Sequence, residues 1–143
     1  MTSPADEEDQ DALAAEGEVS VKEAVKWYQK AAEQGYMKAQ YALGVMCEKG
    51  RGVTQDDKEA VKWYRMAAEQ GEAFARYNLG VMYANGRGVT QDYVRAYMWF
   101  DIGAANGDGE AKEHRDKIEK LMTTADISKA QTLVKERMAK HQK

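Results

Sequence analysis

The sequence holds a single cysteine, Cys47, so no disulfide can form within the chain. Histidine is almost as scarce: His114 and His141 stand in no paired ligand spacing, which gives no basis for a metal site. No cofactor is implied. Positive charge is not in excess either. The 21 Lys and Arg face 24 Asp and Glu, a formal net charge of -3, which argues against nucleic acid as a partner. No apolar run nears the roughly 20 residues that a helix needs to span a bilayer, so membrane insertion is not expected. The N-terminus lacks the basic-then-apolar order of a secretory signal. The cytoplasm is the default compartment on that ground, with the periplasm the alternative for a chain that has lost a leader.

What is present is unevenly spread. Residues 1–21 contain no Lys or Arg, but do contain Asp6, Glu7, Glu8, Asp9, Asp11, Glu16 and Glu18, the composition of a solvated acidic segment. Residues 111–143 lean the other way, with nine Lys or Arg against five Asp or Glu. Between these ends the chain repeats itself. EAVKWYQKAAEQG at 23–35 returns as EAVKWYRMAAEQG at 59–71, and RAYMWFDIGAANG at 95–107 keeps the frame. AQYALGVMCEKGRGVTQD at 39–56 returns as ARYNLGVMYANGRGVTQD at 75–92. Each offset is 36 residues, and a strict period of that length is the mark of stacked supersecondary units.

Each unit reads as two helices. Ala60, Trp63, Tyr64, Ala67 and Ala68 form an amphipathic stripe for the second. Asp56 with Glu59, and Ser20 with Glu23 one unit earlier, have the spacing of reciprocal capping boxes; Asp92 keeps the cap without the acidic partner. Gly35, Gly71 and Gly107 close these helices. The first helix is apolar nearly all round, from Met37 to Cys47, so it must be flanked on more than one side. Mid-helix Gly44 and Gly80 imply close helix–helix approach, with the pairs Trp27–Tyr28, Trp63–Tyr64 and Trp99–Phe100 filling the space between hairpins. GRGVTQD, at 50–56 and 86–92, looks like a phosphate loop but lacks its lysine. It also delivers Asp56 or Asp92 to the helix N-terminus, where a phosphate would have to sit. It reads as a hinge, with Val53 or Val89 plugging the space beneath.

These motifs resemble the Sel-one-like repeat family, a relative of the tetratricopeptide repeat. Residues 39–71 and 75–107 meet the family pattern of A-x-x-x-L-G-x-x-Y-x-x-G-x-G-V, then D, then A-x-x-W-y-x-x-A-A-x-x-G almost entirely. Thr54 and Thr90 stand where the family often has proline, and Cys47 replaces the tyrosine seen at Tyr83. The resemblance implies an all-α fold, a right-handed α-solenoid of antiparallel helix pairs that serves as an adaptor or scaffold, of the bacterial type. The expected division is an acidic segment at 1–19, a partial repeat at 20–36 with only its second helix, repeats at 37–72 and 73–108, and a capping helix pair at 109–143. In that pair Ala111, Arg115, Ile118 and Met122 share one side, and Thr123 caps the last helix with Asp126 three residues on.

Few residues invite chemistry. Cys47 sits at a packing position, which favours a small buried group over the nucleophile of a hydrolase. The paired cysteines of the family's cysteine-rich branch are missing. The Trp–Tyr pairs recur at one phase of the stripe, as core residues do, rather than as a sugar platform. Both histidines are expected to be solvated. By analogy with tetratricopeptide arrays, the first helix of each pair lines the concave surface, where the resemblance implies protein or peptide binding. The candidate groove residues are Lys38, Tyr41, Val45, Glu48, Phe74, Tyr77, Val81 and Ala84, with Lys49, Asn85, Glu110, Glu113 and Lys117 extending the line. An aromatic and aliphatic stripe edged with charge suits an extended peptide or a partner's amphipathic helix. The alternative for these side chains is packing between neighbouring hairpins. A second alternative for the protein is self-association through the open N-terminal flank of the 23–35 helix.

Overall fold

The structure, a computed structural model, describes residues 10–141. Among the described residues the chain is all helix: α1 Gln10–Glu33, α2 Met37–Lys49, α3 Asp57–Glu69, α4 Ala73–Asn85, α5 Tyr93–Ala105, α6 Gly109–Glu119 and α7 Thr124–His141. Each helix from α1 to α5 packs on the next, and α7 turns back to lie against α5. The result is an α-solenoid of helical hairpins closed by a final helix, with a core built from every layer.

The hinge reading of GRGVTQD is met in atomic detail. Gly50 and Gly86 end α2 and α4 in the left-handed region, at φ 67° in both, and Gly52 and Gly88 return there at φ 72°. Asp56 then accepts from the amides of Lys58 and Glu59, and Asp92 from that of Arg95, which satisfies helix N–H groups that have no partner within the helix. The reciprocal half of the expected box does not form. The Asp56 amide donates to the Cys47 carbonyl at 2.9 Å, and the Asp92 amide to the Tyr83 carbonyl at 2.9 Å. Glu59 is therefore not needed as a partner, and Arg95 can replace it without loss. Val53 and Val89 are half-buried against the core, as plugs should be. At the far end Thr123 Oγ1 accepts from the Asp126 amide at 3.1 Å, the expected cap of α7.

Close approach explains the mid-helix glycines. A Cβ on Gly44 would stand 2.6 Å from the Tyr64 ring, and one on Gly80 would stand 2.7 Å from the Phe100 ring. Both rings are completely buried, and burying an aromatic side chain of this size stabilises by about 1.5–3 kcal/mol. That exceeds the roughly 1 kcal/mol a helical glycine costs relative to alanine.

Two expectations fail at the N-terminal end, for one reason. Ser20 does not cap a helix, because α1 begins at Gln10 and runs through it. Shifted by one period, the hinge glycines Gly50 and Gly52 fall on Ala14 and Glu16, which have no ease in the left-handed region, so nothing there ends a helix. Among the described residues no antiparallel helix lies ahead of α1. Trp27 and Tyr28, expected to fill the space between hairpins, are instead 68% and 39% exposed, whereas Trp63, Tyr64, Trp99 and Phe100 are buried.

Candidate functional site

α2, α4 and α6 occupy the same place in successive hairpins, and their aromatic side chains meet. The Tyr41 ring lies 5.8 Å from that of Phe74, one unit on, and 6.1 Å from that of Tyr64. The Tyr77 ring lies 5.8 Å from Phe100 and 5.1 Å from His114, the latter edge-on at 84°. Such separations are those of stabilising aromatic pairs. Phe74 is 64% exposed despite this contact, while Tyr41 and Tyr77 are half-buried. Burial raises the phenol pKa of both tyrosines, and neighbouring carboxylates (Glu72 and Glu48 for Tyr41, Glu110 and Asp108 for Tyr77) add to it. Both remain neutral hydroxyls at physiological pH.

The other candidate residues divide by what they touch. Val45, Val81 and Ala84 are half-buried and pack on the core. Lys38 is exposed, 3.8 Å from the Glu72 carboxylate. Glu72 is itself buried and caps α4 by accepting from the Phe74 amide at 2.8 Å. Glu48 points into the structure: it accepts from the Tyr64 hydroxyl at 2.6 Å and from Arg87 at 3.1 Å. Arg87 reaches Asp57 at 3.0 Å with its other nitrogen, so the second hinge is pinned to the preceding hairpin through both carboxylates. Lys49, Asn85, Glu110, Glu113 and Lys117 are exposed along the same helices.

His114 was expected in solvent and is not there. It is half-buried at the end of the aromatic row, with Nε2 3.2 Å from the Tyr77 hydroxyl and Nδ1 2.9 Å from the Glu110 carbonyl. A carbonyl only accepts, so in the neutral ring Nδ1 carries the hydrogen and Nε2 receives the tyrosine proton. The signal available in the sequence was the frame of the repeat, which sets His114 one residue beyond the position matching Tyr41 and Tyr77.

Cys47 is buried, and burial pushes its thiol pKa up, with Glu59 and Asp56 adding to the effect. It is a protonated packing group at neutral pH, which suits the role expected of it and not that of a nucleophile. Among the described residues no three His, Cys, Asp or Glu side chains gather as metal ligands. No described helix is long and apolar enough to cross a membrane.

The Sel1 repeat family model matches residues 15–36, 38–72 and 73–108, more than half of the chain. The chain belongs to the Sel1 repeat family. It is similar to the crystal structure of a protective antigen present in uropathogenic Escherichia coli strains that displays an SLR fold, at 39% identity and a TM-score of 0.79 over 82% of this chain and 26% of that one. It is also similar to a Sel1 repeat protein from Oxalobacter formigenes, at 42% identity and a TM-score of 0.66 over 68% of this chain and 40% of that one. The chain thus spans well under half the length of either structure. No curated protein matches it. The Sel1 fold is generally a protein–protein interaction module and typically a non-catalytic scaffold.

Proposed function

We propose that this chain is an adaptor that takes an extended peptide or a partner's amphipathic helix along the row made by α2, α4 and α6, the concave wall of the solenoid. The observation that carries this reading is Phe74. A phenylalanine held against Tyr41 yet 64% exposed is a pre-positioned apolar anchor of the kind that dominates interface energetics. Lys38 and Glu113 at the edges, both exposed, supply the polar rim that such an interface needs. Glu48 serves this face indirectly, by fixing the hinge beside it through Arg87.

The test is affinity capture with the native chain beside Phe74→Ala and Tyr77→Ala. Phe74→Ala is expected to weaken capture of a specific partner by about tenfold or more, on the scale of a central aromatic anchor. A partner retained equally by all three proteins overturns the assignment of the face.

A further inference from the structure

A different part of the molecule has the makings of a ligand site. A cavity of about 400 Å³ opens where the corner after α3 meets α5 and α7. Ala68, Trp99, Ile102 and Met138 give it apolar walls, and Arg76 and Arg137 bring two guanidinium groups to it. This is the size of a small-molecule pocket, and Glu69, Gln70 and Asn106 share its lining with the apolar side chains and the two arginines.

The two arginines are incompletely satisfied. Arg76 donates through Nη2 to the Gly71 carbonyl, and its Nη1 is buried without a protein acceptor. No carboxylate stands within ion-pair distance of it among the described residues. The nearest influence is Glu72, already held by the Phe74 amide and Lys38. Burial accordingly pulls the Arg76 guanidinium pKa down, against the smaller opposing effect of Glu72. Arg137 pairs with Glu69 at 2.8 Å and lies over the Trp99 ring at 4.5 Å, but its Nε is buried without a partner. Both side chains are half-buried, and a hydrogen bond left unmade at a buried guanidinium nitrogen costs more than one at a neutral polar atom.

The repeat supplies its own control. One unit earlier the position of Arg76 is Gln40, which is buried and satisfied at both ends: its Nε2 donates to the Ala32 carbonyl at 3.1 Å, and its Oε1 accepts from Gln70 at 2.8 Å. The fold therefore works with a neutral amide here. The second unit has replaced it with a cation that forms no ion pair among the described residues, Glu72 acting on it only from a distance.

We propose that this cavity binds a carboxylate carried on an apolar body, with the anion received by Arg76 and Arg137 and the body seated against Trp99, Ile102 and Met138. Reaching the ligand with Nη1 would require the long Arg76 side chain to turn, a rotamer change of the sort common on binding. Two sources share this chemistry: the C-terminus of a peptide with an apolar last residue, and a free aliphatic or aromatic acid. The site is separate from the aromatic row, since no residue of that row lines it.

The experiment is calorimetric titration of the full chain with N-acetyl-L-leucine, N-acetyl-L-leucinamide and an acetylated tetrapeptide ending in leucine with a free carboxylate. The acid is expected to bind saturably at millimolar concentration or below, and its amide at least about tenfold more weakly, because a charge-assisted pair is lost. Arg76→Gln restores the residue of the preceding unit, so it is expected to fold, as circular dichroism will check, and to bind the acid at least about tenfold more weakly. Lys112→Ala, an exposed position that lines neither the cavity nor the aromatic row, is expected to bind it as the native chain does. Tighter binding by the tetrapeptide than by the single residue identifies a chain terminus as the source; the reverse order identifies a small free acid. Absence of saturable binding, equal binding of the amide, or full binding by Arg76→Gln each overturns the proposal.

Discussion

Gly44 and Gly35 are the same residue type under opposite constraints. Gly44 sits in an ordinary helix with the Tyr64 ring where its side chain would be, and that ring is held in turn by the hydrogen bond to Glu48. Gly35 has open space around it but a φ of 97°. Gly44→Ala gains helix propensity and loses packing; we expect the packing to win, with a net loss of about 1–3 kcal/mol in urea denaturation. Gly35→Ala is expected to cost about 1–2 kcal/mol through backbone strain alone. The two are told apart by Tyr64→Ala, in which a further Gly44→Ala should cost little or even stabilise, while a further Gly35→Ala should cost as much as before. Equal costs of Gly44→Ala in both backgrounds would refute the contact.

At the scale of elements, the hinge that looks identical twice behaves differently in its two copies. Arg87 holds Glu48 and Asp57, whereas Arg51, one period earlier, would need partners at positions 12 and 21, which are Ala12 and Val21. Arg87→Ala is expected to cost about 1 kcal/mol, shrinking as salt is added, and Arg51→Ala to stay within about 0.5 kcal/mol. Thermal melts at two ionic strengths measure both. Much of this was legible beforehand. The period, the glycine corners, the aspartate caps and the last helix follow from residue identity at fixed offsets, because each is a local backbone requirement. The start of α1 was not legible from the Ser20–Glu23 spacing, since a cap motif matters only where something ends the preceding helix. Aligning Ala14 and Glu16 with the hinge glycines was the clue. His114 and the cavity were hidden for another reason: both depend on which hairpin side chains meet across the stack, and α7 folds back onto α5 in a way no periodicity dictates.

For the molecule as a whole, stability in a stacked array is a sum of unit and interface terms, so the end with an uncovered face should open first. Trp63 is covered and Trp27 is not. Trp63→Ala is expected to cost about 3–5 kcal/mol, and Trp27→Ala less than about 1 kcal/mol, in line with surface substitutions. Hydrogen exchange should show α1 amides opening well before those of α4 and α5; uniform protection across the array would contradict this gradient. The uncovered face is also where self-association would act, and sedimentation over a concentration range reports on it. Loss of a concentration-dependent dimer in Trp27→Ala would locate the contact there.

The three indoles occupy one repeat position and each has a cation near its ring, but Trp27 is exposed, Trp63 and Trp99 are buried, and of the three only Trp99 lines the cavity beside Arg76 and Arg137. Each tier therefore carries its own chromophore. A soluble quencher should extinguish the first before the others, and a guest beneath Arg137 should alter the third alone, so one emission spectrum can follow opening at one end and occupancy at the other.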